Sequence, residues 1–67
     1  MCQATIYMLK DGQEEEIMRE VIRLVPVGEG LQLETFFEEP RTVAGRIVRI
    51  DFLKHTVTLA PSEGPGG

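Results

Sequence analysis

Apolar and polar residues alternate cleanly at the start of the chain. Cys2, Ala4, Ile6 and Met8 share one face and Gln3, Thr5, Tyr7 and Leu9 the other, which is the two-residue period of a half-buried strand. Lys10-Asp11-Gly12 follows as a tight turn, with Gly12 able to take the positive φ that a hairpin asks for. The next segment, Glu14 to Val25, fits two periods. Ile17, Val21, Leu24 and Val25 match a helical stripe, and Asp11 with Glu14 could form a capping box, so pattern alone slightly favours a helix. Strand alternation also fits, with Ile17, Val21 and Val25 on one face and Met18, Ile22 and Leu24 on the other. Pro26 to Gly30 reads as a loop, after which Leu31, Leu33 and Thr35 alternate with Gln32, Glu34 and Phe36 in a further strand. Phe37-Glu38-Glu39-Pro40 turns the chain. From Arg41 to Phe52 the β-branched content is high, and Gly45 inside that run predicts a bulge or a barrel corner. Leu53-Lys54-His55 then links it as a hairpin to a last strand, Thr56 to Ala60.

About five or six short strands at this spacing predict an all-β fold, a small barrel. Its core would draw on Ile6, Met8, Ile17, Val21, Leu33, Ile47, Ile50, Val57 and Leu59. One domain over residues 1–60 is expected, with 61–67 as a disordered tail, because Pro61-Ser62-Glu63-Gly64-Pro65-Gly66-Gly67 has no apolar residue to bury. A chain of 67 residues buries only a modest core, so a second subunit would help it. No disulfide can compensate, since Cys2 is the single cysteine, and a lone thiol fits a reducing cytoplasm better than an oxidising compartment. The opening residues have no basic leader and too short an apolar run to span a bilayer, so no membrane partner is expected.

Eleven acidic against seven basic residues give a formal net charge of −4, with Glu14-Glu15-Glu16 and Glu38-Glu39 as local acidic runs. A nucleic-acid binder normally needs a basic patch and stacking aromatics, so no nucleic-acid partner is expected. Charge runs of this kind are most often solvated faces.

No catalytic constellation is visible, and the chain is not expected to be an enzyme. Gly28-Glu29-Gly30 lacks the further glycine and the helix of a phosphate loop. Cys2 is the unusual residue. A thiolate beside the amino terminus can chelate a metal together with terminal or backbone nitrogen, and mixed sulfur and nitrogen donors in a plane suit Ni(II) or Cu(II). Against this stands the commoner role of an isolated cysteine as a small buried apolar residue. His55, alone in a hairpin, reads as a solvated or backbone-bonded residue rather than a ligand. Met1, Met8 and Met18 read as terminal, core and core, because they lack the close spacing of a soft-metal site.

Taken in order, the short motifs resemble the CooT-type nickel-binding proteins, accessory factors of carbon monoxide dehydrogenase maturation. The matching residues are Met1-Cys2-x-Ala4 leading into Ile6-Tyr7, Lys10-Asp11-Gly12, the acidic run before Ile17-Met18, and Gly28-x-Gly30-Leu31. Gly45-Arg46-Ile47, Ile50-Asp51-Phe52-Leu53 and His55-Thr56-Val57 complete the set, and Glu38-Glu39-Pro40 departs from it at the third turn. The resemblance implies an SH3-like barrel that forms a homodimer, a strand over Glu15 to Val25, and Cys2 near the dimer interface as the key ligand to Ni(II). It further implies a metallochaperone with a nickel-dependent client enzyme. The alternative it carries is a small SH3-like RNA-binding or protein-interaction module, disfavoured for RNA by the net charge.

Overall fold

The computed structural model describes residues 3–61, all of them in strands, turns and short links. Six strands follow one another: β1 (Ala4–Lys10), β2 (Gln13–Val27), β3 (Gly30–Thr35), β4 (Arg41–Ala44), β5 (Arg46–Asp51) and β6 (Thr56–Ala60). They form a single mixed sheet in the order β4-β3-β2-β1-β6-β5. Every neighbouring pair is antiparallel except β1 and β6, which run parallel. The turn after β1 places Asp11 and Gly12 at positive φ, 55° and 77°, the hairpin geometry that Gly12 accommodates without strain. The described residues include no helix, and hence none long and apolar enough to cross a membrane.

The ambiguous segment is a strand, and its bulges explain why it resembles a helix in sequence. From Ala4 to Ile6 on β1 the partner moves from Val21 to Met18, and from Ile6 to Tyr7 it moves from Met18 to Glu16. Against β3, Val21 to Arg23 spans only Thr35 to Glu34. Each shift leaves one extra residue on β2 and bends it. Glu20, at φ 60°, sits in the first of these bulges. The extra residues convert a two-residue alternation into a spacing of three, so that Met18 and Val21 are buried and Leu24 packs against them. A stripe at that interval is close to the helical period. The strand over Glu15 to Val25 implied by the family resemblance is therefore present, two residues longer at each end.

The core is built by Ile6, Met18, Val21, Leu31, Leu33, Val57 and Leu59, with Ala4, Met8, Ile17, Leu24 and Val43 packed against it. Two expected members are not in it. Ile47 and Ile50 are 39% and 47% exposed. They pair with Leu59 and Val57 across a bulge at Val48, so they face the core side of the sheet, but on its edge strand, where the described residues cover them only in part.

The same edge corrects the expectation of a closed barrel. β4 and β5 are the two edges of the sheet, yet Gly45 alone separates them in sequence. A single residue is too short to reverse the chain into a hairpin, and far too short for a parallel crossover, so the two strands cannot pair with each other. The edges meet at Gly45 and the sheet stays open beyond it. A methyl group on Gly45 would lie 2.9 Å from the Ala60 carbonyl oxygen, which shows how closely the corner approaches β6. Gly30 is more constrained, since a Cβ there would come within 2.5 Å of the Val43 carbonyl oxygen. Gly30→Ala is expected to force β3 and β4 apart at a cost of about 1 to 3 kcal/mol. A urea midpoint equal to the parent's would contradict this close approach.

Candidate functional site

Strand register decides which turns share an end of the sheet. Thr35, Val21 and Ala4 lie on one rung, and Thr5, Thr56 and Asp51 continue it through β6 to β5. β1 and β3 both run antiparallel to β2, so the chain before Ala4 and the turn after Asp51 leave the sheet at one end, while the turn after Thr35 leaves β3 in the opposite direction, alongside the first half of β2. These two turns carry the most exposed apolar side chains among the described residues, Phe52 and Leu53 beside the chain start and Phe36 and Phe37 after β3, between 64% and 89% exposed.

Cys2, the metal ligand expected from the sequence, lies outside the described residues, as do Met1 and residues 62–67 of the expected tail. Its neighbour Gln3 is described, and chain continuity puts Cys2 one residue from it. Gln3 and Ala4 line a largely apolar cleft of about 190 Å³ with Ile50, Phe52, His55 and Val57. The Thr5 amide donates to the His55 carbonyl oxygen at 3.0 Å, which ties the start of β1 to the β5–β6 turn. In that turn the Leu53 and Lys54 amides both donate to Asp51 Oδ1 at 3.0 Å, and His55 adopts φ 58°. His55 is thus exposed in a hairpin turn with its backbone engaged, and it borders the cleft that Gln3 enters.

Among the described residues no three His, Cys, Asp or Glu side chains come together to hold a metal ion. Met8 and Met18 serve packing.

A second concavity, of about 290 Å³, lies between the bulged part of β2 and the β3–β4 turn. Ile17 and Met18 belong to its lining, with Glu16, Glu20 and Glu38 facing Arg19 and Arg41. Arg19 is bound to Glu16 at 2.7 Å, and that hydrogen bond and charge raise its pKa above the ordinary arginine value. Phe37 lines this groove, and neither it nor the adjacent exposed Phe36 is singled out by the sequence pattern. The available signal was that Phe36 and Phe37 run straight into Glu38-Glu39-Pro40, a turn with no apolar partner nearby.

A family model described as "CO dehydrogenase accessory protein CooT" matches residues 1–60. A crystal structure of a CooT protein from Carboxydothermus hydrogenoformans superposes with a TM-score of 0.82 at 27% identity, covering 92% of this chain and 100% of the other. No curated protein matches.

Proposed function

The chain belongs to the CooT family of CO dehydrogenase accessory proteins, and from that premise we propose that it is a cytoplasmic nickel chaperone whose metal is held by Cys2. The observation that carries this reading is the span of the family match, which begins at residue 1 and so includes Cys2. An accessory role calls for reversible binding rather than catalysis. A thiolate with nitrogen donors beside it suits Ni(II) and leaves the ion open to transfer, whereas an enclosed site would retain it. The client is a nickel-dependent enzyme such as carbon monoxide dehydrogenase. Titration with Ni(II) tests the reading through the sulfur-to-nickel charge-transfer band. We expect the band in the parent and in His55→Ala alike; its loss in His55→Ala would move the site into the β5–β6 turn.

The fold belongs, in this reading, to the SH3-like barrels with its β4–β5 seam left open, and a second copy covers the exposed flank. Ile47, Val48, Ile50, Phe52 and Leu53 form a run of exposed apolar residues along β5 and its turn. So large a patch is unusual on a small monomer. A two-fold axis on that flank would also complete the metal's coordination with a second Cys2. Light scattering on metal-free protein is expected to give a dimer, and Ile50→Asp, which buries a charge in the interface, a monomer. A monomeric parent at micromolar concentration would contradict the assembly.

A further inference from the structure

Phe36 and Phe37 lie on the opposite flank from β5, across β2, β1 and β6. They are 64% and 75% exposed in a chain with few apolar residues to spare for its core. Their rings meet edge to face, with centroids 6.5 Å apart and planes at 78°. The turn that carries them is fixed by Thr35, whose Oγ1 accepts from the Phe37 amide at 3.2 Å and the Glu38 amide at 3.1 Å. A pair of aromatics held this way loses little conformational freedom when it docks, which is the property of interface anchors. The surroundings are acidic. Glu38 and Glu39 follow directly, and Glu20 stands across the groove beside Phe37. Of the groove's two arginines, Arg19 is already committed to Glu16, and Arg41 stands alone against Glu20, Glu38 and Glu39.

We propose that this aromatic pair is the docking point for the client protein, seated in an apolar recess rimmed by lysine or arginine. A second copy of this chain is a poor occupant, because a two-fold contact here would set Glu38 and Glu39 against their own equivalents. A basic rim instead satisfies those carboxylates and lets the groove beside Phe37 receive a cationic side chain between Glu20 and Glu38. The inference rests on the accessory role of the family and not on nickel. It places the client's contact and the proposed dimer flank on opposite sides of the sheet's central strands.

The test is binding of the full-length protein to the purified, nickel-free CO dehydrogenase of the same organism, followed by biolayer interferometry at several salt concentrations. The double variant Phe36→Ala/Phe37→Ala is expected to bind about tenfold or more weakly, with melting temperature and Ni(II) titration unchanged. Thr35→Val, which keeps the shape but cannot accept the two amides, should lose a smaller part of the affinity. Glu38→Lys/Glu39→Lys should slow association and flatten its salt dependence. Parental binding by the double alanine variant overturns the proposal, as does tighter binding by the charge-reversed one. Absence of binding by the parent overturns it too, while leaving a normal nickel titration intact. Conversion of the phenylalanine variant to a monomer would assign the surface to a second copy and likewise overturn it.

Discussion

Leu33→Ala is expected to lose about 2 to 5 kcal/mol of stability, a large share of what a domain of this size has, so that its cooperative urea transition moves to very low denaturant or disappears. Leu33 is 0% exposed and sits on β3 between the bent strand β2 and the edge strand β4. Truncation there leaves a cavity that neither neighbour can fill without breaking its ladder, because both are tied to β3 by backbone hydrogen bonds. Ile47→Ala supplies the contrast. Its side chain is 39% exposed on the open edge, so water or a partner replaces the lost atoms and the cost in a monomer is expected to stay below about 1.5 kcal/mol. Equal losses in the two variants, measured in the monomeric Ile50→Asp background, would mean that β5 is covered within one chain after all.

The difference between these residues also marks what the sequence could and could not reveal. Alternation from Ala4 to Met8, the turn at Asp11-Gly12 and the β-branched run ending in Thr56 to Ala60 all correspond to strands and turns of the structure. These are local signals, set by side-chain period and by glycine's tolerance of positive φ. Ile47 and Ile50 carry the same apolar signal as Leu33, and nothing in their own segment says that β5 ends as an edge. That outcome depends on the sheet order, which is a property of the whole chain. Bulges obscured β2 for a related reason. An extra residue is invisible in sequence until the partner strand is known, and at Glu20 the φ of 60° falls on a residue type that does not advertise it. The candidate site was legible in part. Cys2 stands out by position, whereas the placing of Phe52 and Leu53 beside the chain start, and of Phe36 and Phe37 in a turn that leaves in the opposite direction, follows only from strand register.

Replacement of Cys2 has the largest effect expected on function. A hydroxyl in place of the thiol keeps size and polarity but cannot supply a soft anionic donor at neutral pH, so Cys2→Ser is expected to abolish tight Ni(II) binding. Stability and dimerisation should not change, because the proposed dimer is held by apolar surface on β5 and not by the metal. Binding in the parent must displace the thiol proton, and its apparent affinity is therefore expected to weaken steadily as the pH is lowered.

Calorimetric titration of Ni(II) into the parent and Cys2→Ser proteins tests the central claim most directly. The parent should show a transition at about one metal per two chains, as a shared two-fold site requires, and Cys2→Ser should show no tight transition while remaining folded and dimeric. Nickel affinity retained in Cys2→Ser would contradict the assignment of the site.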